Sequence, residues 1–159
     1  MGQKQPPTVC DGCDKVFIGG SSAGGYLSMM LYFDGQYLGK YGLTCKDFAG
    51  FVFDAGQPTV HFNVLRERGL DRRRIVVDEA APLYHITDYS GEPPMVIYVS
   101  ENDIPNRYAQ TELLRSTLKD FGYPEERITY HLMPGCKHCS YTASLEFSES
   151  VVDFINKCL

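Results

Sequence analysis

Apolar residues fall in short blocks along this chain, and the blocks alternate between two periods. Residues 93–100, PPMVIYVS, form a β-branched apolar run that opens on two prolines, and residues 15–20, KVFIGG, form a shorter one. Unbroken apolar runs of this length are what strands buried on both faces require. Residues 47–55, DFAGFVFDA, and 127–133, RITYHLM, read as two further strands. Helical periods lie between them. A helix is predicted over Ala23–Phe33 with Leu27, Met30 and Leu31 facing inward. A second covers 106–121, where Leu114, Leu118 and Phe121 fall at i, i+4 and i+7 and Gly122 ends the pattern. A third runs over 144–158 with Val151, Phe154, Ile155 and Cys158 on one stripe. The connection 56–92 is irregular, with a helix expected near 60–68 and a shorter one near 79–85. Alternation of strand and helix implies an α/β fold, with about four parallel strands covered by helices on both faces.

The totals change this picture little. A chain of 159 residues, 43% hydrophobic and 22% charged, suits one domain with a real core. The net charge of −5 argues against a nucleic-acid or anionic-membrane partner. Arg66, Arg68, Arg72, Arg73 and Arg74 are interleaved with Glu67 and Asp71 and read as a solvated face. No stretch reaches the length of a membrane span, and the opening MGQKQPPTV lacks the apolar segment of a signal peptide, so a cytoplasmic location is expected. Cys10 and Cys13, and Cys136 and Cys139, have the C-x-x-C spacing of zinc ligands. The first pair precedes its strand and the second follows its own. In a parallel sheet those are opposite ends, separated by about 17 Å or more. Reduced thiols are the preferred reading, with no metal.

The chemistry concentrates at one corner. Gly20-Ser21-Ser22-Ala23-Gly24 satisfies G-x-S-x-G between an apolar strand and a helix. To project a hydroxyl clear of the sheet, the chain must reverse within a few residues. A Cβ at position 20 or 24 is expected to collide with the neighbouring strand or helix. The helix begins beside Ser22, so the amide of Ala23 points toward a developing oxyanion. The segment lacks the G-K-[ST] of a phosphate loop and the G-x-G-x-x-G of a dinucleotide site.

A serine hydroxyl needs a base, and the base needs an orienting carboxylate. Glu101-Asn102-Asp103 follows one predicted strand directly, and Pro134-Gly135-Cys136-Lys137-His138 follows another. The candidates are therefore Ser22 as nucleophile, His138 as base and Asp103 as acid, all at the carboxyl end of the sheet. Asp54, at the end of the preceding strand, is the rival acid. Ser21 is read as packing or hydrogen-bonding, Glu101 as solvated, and His61, His85 and His131 as structural or surface residues, although His85 could line a pocket mouth.

The elbow VFIGGSSAGGYL, the acid in SENDIPNR ahead of a helix ending LKDFGY, and the histidine loop PGCKHCSY together resemble the esterase/lipase branch of the α/β-hydrolase superfamily, with acetyl-esterase and carbohydrate-esterase-like members nearest. The resemblance runs from Lys15 to the C-terminus. It implies a serine esterase that acts on short acyl or sugar acetyl esters through an acyl-enzyme, without a cofactor. It also implies an earlier half, with several strands and a loop donating the second oxyanion amide, that nothing before Lys15 supplies. The chain is accordingly expected to be the carboxyl half of such a domain (15–159), after a non-homologous or disordered segment (1–14). The unpaired strand over 16–20, beginning at Val16, is then expected to pair with a second copy or a separate amino-terminal chain. Two competing readings remain at this point: an exopeptidase of the prolyl oligopeptidase type, and an inactive paralogue serving as an oligomeric binding protein. Phe62, Leu83 and Tyr84 are candidates for an apolar pocket rim or for ordinary core.

Overall fold

A computed structural model describes residues 15–159. The expected 1–14 segment and the Cys10–Cys13 pair lie outside the described residues. Four strands form the sheet: β1 (Phe17–Ser21), β2 (Gly50–Asp54), β3 (Met95–Asn102) and β4 (Ile128–Lys137). They lie side by side in chain order, every neighbouring pair parallel. Five α-helices accompany them: α1 (Ala23–Phe33), α2 (Gly35–Gly39), α3 (Phe62–Glu67), α4 (Arg107–Asp120) and α5 (Leu145–Cys158). Among the described residues, no helix is long and apolar enough to cross a membrane.

The two faces of β3 divide the core. Met95 and Ile97 join Phe51 and Phe53 of β2, Met29 and Tyr32 of α1, and Leu114 and Leu118 of α4 on one side. Val96 and Tyr98 point the other way, toward Phe154, Val151 and Ile155 of α5. Six consecutive buried residues, 95–100, follow from cover on both faces. A smaller cluster of Val60, Leu65 and Ala81 closes the connection between β2 and β3.

Local chemistry moves several predicted boundaries. The strand expected from residue 47 begins at Gly50, because 45–47 form a 3₁₀ turn in which the Asp47 carboxylate accepts the Thr44 amide at 2.7 Å. α2 was not expected. Asp34 starts it by accepting the Gln36 N–H at 3.0 Å. The helix near 60–68 shortens to α3, where His61 Nδ1 caps the first turn by accepting the Asn63 N–H at 3.3 Å.

Two inward assignments are corrected. Leu27 is 59% exposed, and Met29, Met30 and Tyr32 take the buried face of α1. Phe121 is 37% exposed, since it lies just past the end of α4 where the stripe of Leu114 and Leu118 no longer governs direction.

Candidate active site

Each strand ends in a loop that carries one strained residue. The positive-φ residues other than glycine, among those described, are Ser22, Ala55, Asn106 and Cys139. They follow β1, β2, β3 and β4 respectively, so all four sit along the carboxyl rim of the sheet. Strained backbone of this kind costs about 1–3 kcal/mol per residue and gathers at functional sites.

Ser22 is the sharpest case, with φ 56° and ψ −113°. Its amide donates to the Asp54 carbonyl at 2.8 Å and its carbonyl receives the Tyr26 N–H at 3.0 Å. The backbone is thereby fixed between strand and helix. In the N-cap position of α1, Ser22 makes no capping bond with its side chain. The hydroxyl turns away from the helix, leaving the first amides of α1, that of Ala23 among them, without a side-chain cap. A Cβ on Gly20 would stand 2.6 Å from the Gly24 carbonyl carbon, so only glycine fits there. The expectation for Gly24 is corrected: a Cβ there would meet nothing within 4 Å. The close approach belongs to Gly25, where a Cβ would lie 2.7 Å from the Asp54 carbonyl oxygen and 2.9 Å from the Gly56 Cα. Helix α1 presses on the end of β2 through residue 25, and residue 24 faces outward.

The three predicted polar residues meet above this corner. His138 Nε2 lies 2.8 Å from Ser22 Oγ, and His138 Nδ1 lies 2.6 Å from Asp103 Oδ1. The arrangement suits the tautomer in which Nδ1–H donates to the Asp103 carboxylate and Nε2 accepts the Ser22 hydroxyl. Asp103 is held from behind: its Oδ1 also accepts the Ile104 N–H at 2.7 Å, and its side chain is 1% exposed. Asp54, the rival acid, is engaged elsewhere. Its carboxylate accepts the hydroxyls of Ser21 and Tyr141. Burial pushes the Asp54 carboxyl above its ordinary range, opposed by those two hydrogen bonds and by nearby His138.

Histidine 138 depends on an extension of β4 that the sequence pattern did not predict. The strand continues past Met133 to Lys137, with a register shift between the pairs Ser100–Met133 and Asn102–Lys137. Two contacts hold the bulge: Glu101 accepts the Gly135 N–H at 2.7 Å, and the Ser100 hydroxyl donates to the Lys137 carbonyl at 2.8 Å. Glu101, expected to be solvated, is exposed and also anchors the histidine loop.

The remaining polar candidates are structural. His61 caps α3, and burial lowers its pKa. His131 stacks on Tyr98 with ring centroids 4.8 Å apart. His85 contacts the Glu79 carbonyl at 2.8 Å. Leu83 packs on the core, Tyr84 is exposed, and Phe62 lines a cavity beside the Asp103 loop. Cys136 and Cys139 are free thiols, and burial pushes Cys139 up to about 11. Among the described residues, no group of three or more His, Cys, Asp or Glu side chains is arranged to hold a metal ion.

Residues 11–159 match the profile of the prolyl oligopeptidase family. The chain belongs to the prolyl oligopeptidase family. Its members are serine hydrolases of the α/β-hydrolase superfamily, the superfamily to which the sequence motifs pointed. Three solved structures show the same fold around this prolyl oligopeptidase-family sheet. A truncated form of a carbohydrate esterase from gut microbiota superposes with a TM-score of 0.66 at 16% identity, over 91% of this chain and 59% of its own. Propionate-bound esterase 2 from Thermogutta terrifontis gives 0.61 at 16% identity, over 89% and 53%. An acylaminoacyl peptidase in complex with a chloromethyl ketone gives 0.61 at 13% identity, over 90% and 24%. The chain thus spans about half the length of the two esterases and about a quarter of the peptidase. No curated protein sequence matches it.

Proposed function

We propose that Ser22, His138 and Asp103 form a catalytic triad that hydrolyses carboxylic esters through an acyl-enzyme. The observation that carries this reading is the imidazole shared between two partners, 2.8 Å from the Ser22 hydroxyl on one side and 2.6 Å from the Asp103 carboxylate on the other. Ser22 attacks the acyl carbon while Nε2 takes its proton. Asp103 stabilises the imidazolium and keeps the tautomer. The proton then passes to the leaving alkoxide. His138 next removes a proton from water, which attacks the acyl carbon; the bond to Ser22 Oγ breaks, the acid leaves, and Nε2 returns the proton to Oγ. The Ala23 amide, at the positive end of α1, donates to the oxyanion, a contact of the kind worth about 10²–10³ in rate. The sequence of steps calls for no metal or organic cofactor.

Short acyl groups on an alcohol or a sugar are the proposed substrates, supported by the propionate-bound and carbohydrate esterases among the structural neighbours. A peptidase reading is supported by the family and by the acylaminoacyl peptidase neighbour. Hydrolysis of p-nitrophenyl acetate against an aminoacyl p-nitroanilide separates the two. Esterase activity predicts turnover of the first and little of the second. A fluorophosphonate should label Ser22 in either case. Absence of both turnover and label would mean that the constellation is a relic.

A further inference from the structure

A cavity of about 460 Å³ opens beside the Asp103 loop, between that loop and the connection that follows β2. Four arginines line it: Arg72, Arg73, Arg74 and Arg107. Their charges are poorly balanced. Arg73 is neutralised by Asp71, 2.5 Å away. Arg72 and Arg74 have no ion-pair partner among the described residues. Arg107 is the unusual one. It is 2% exposed, yet among the described residues its guanidinium donates only to neutral acceptors, the Ala55 carbonyl and Gln57 Oε1, and its Nε has no hydrogen-bond partner. The nearby carboxylate of Asp103 is turned toward His138. Burial disfavours this guanidinium more than the nearby Asp103 carboxylate favours it, so its charge is only partly compensated.

The backbone adds to that charge. Ile104, Pro105 and Asn106 line the cavity together with Arg107, so the first turn of the 14-residue helix α4 forms part of its wall. Asn106 makes no side-chain cap, so its side chain satisfies none of the first amides of α4. Phe62, Ile75 and Ile104 supply apolar surface next to this charge. A concave site of a few hundred cubic ångströms with apolar walls and a few converging cations suits a small amphiphilic anion.

We infer that this cavity binds a carboxylate-bearing ligand, its apolar body against Phe62, Ile75 and Ile104 and its carboxylate toward Arg72, Arg74 and the amino end of α4. Arg107 fixes the potential from behind. Two sources of the carboxylate fit this chemistry: a free organic acid, or an acidic arm of the ester substrate. The second rests on the esterase reading above, whereas the binding site does not.

The test separates them. Titration calorimetry of the full chain carrying Ser22→Ala, which cannot turn over, compares 4-phenylbutyrate with the neutral 4-phenylbutanamide. The acid should bind at least about tenfold tighter than the amide. That preference should collapse when Arg72→Ala and Arg74→Ala are combined, persist when both become lysine, and weaken as salt rises. Equal binding of acid and amide, binding of neither, or indifference to the double alanine change would overturn the proposal. Kinetics of the unmodified chain on mono-4-nitrophenyl glutarate and 4-nitrophenyl pentanoate then assign the source. A preference for the glutarate that falls in the double alanine variant assigns the carboxylate to the substrate. Acid binding without that preference assigns it to a free acid. Acid binding with turnover of neither ester sinks the esterase reading and leaves the cavity standing, while ester turnover without acid binding does the reverse.

Discussion

The Tyr141 hydroxyl donates a hydrogen bond to the Asp54 carboxylate, across 87 residues of chain. The same carboxylate accepts the hydroxyl of Ser21, the neighbour of Ser22, and the Asp54 carbonyl receives the Ser22 amide at 2.8 Å. Tyr141 lies three residues after His138. Asp54 therefore links the serine corner to the histidine loop without touching the Ser22 hydroxyl or the His138 imidazole, and on the esterase reading it is a positioning residue. Tyr141→Phe should cost about 1–3 kcal/mol of stability, since it leaves a buried acceptor under-satisfied. On the esterase reading it should also lower kcat for p-nitrophenyl acetate more than it raises KM, because the distance from His138 to Ser22 loosens. Urea unfolding and steady-state kinetics on one variant check both, and an unchanged kcat would remove the positioning role.

Asp54 also predicts a pH dependence. Burial raises its folded-state pKa above the unfolded value, so the folded protein holds this proton more tightly. The stability this group contributes is complete below the ordinary carboxylate pKa of about 4 and is lost as pH rises through the folded pKa. Asp54→Asn removes that dependence. The stability of the variant relative to the parent should therefore rise as pH climbs above about 4, measured as the difference between urea midpoints at each pH. A difference that is flat above about pH 4 and changes only below it would mean that the Ser21 and Tyr141 hydroxyls outweigh burial and hold Asp54 ionised.

Neighbouring glycines of the elbow should behave oppositely. Gly25→Ala places a Cβ 2.7 Å from the Asp54 carbonyl oxygen, backbone that cannot move without shifting β2. Overpacking of this kind costs about 1–3 kcal/mol. Gly24→Ala meets open space and gains helix propensity worth up to about 1 kcal/mol. Thermal unfolding of the two variants should give transitions displaced to opposite sides of the parent. Destabilisation by Gly24→Ala would contradict the packing of α1.

Within the proposed triad, Asp103→Asn should retain the fold and lose activity. An amide in place of the carboxylate favours the wrong imidazole tautomer, a loss of the order of 10⁴ in kcat in serine hydrolases. Ser22→Ala should abolish fluorophosphonate labelling outright. A matching loss in Asp54→Asn with little in Asp103→Asn would exchange the two acids.

Much of this site is legible in the residues themselves. Ser22, His138 and Asp103 each stand next to a strong strand pattern, and parallel strands bring their carboxyl ends to one rim, so chain order alone predicts the meeting. Partners of Asp54 and Arg107 carry no such mark. Tyr141 and Ala55 are ordinary residues until folding sets them beside a carboxylate and a guanidinium. The reach of β4 to Lys137 was hidden for a similar reason: Pro134 and Gly135 look like a loop, and the contact from Glu101 to the Gly135 amide is what keeps them on the sheet.

Local pattern, by itself, determined the succession of strands and helices and the sharp turn at Gly20, because period, turn chemistry and steric demand are properties of adjacent residues. Tertiary structure alone decided which face of α1 turns inward, which of Gly24 and Gly25 is crowded, which hydroxyls engage Asp54, and where an arginine is buried against neutral acceptors. Those outcomes depend on the rotation of a helix and on the endpoints of strands dozens of residues apart, and the energies involved exist only once the distances are set.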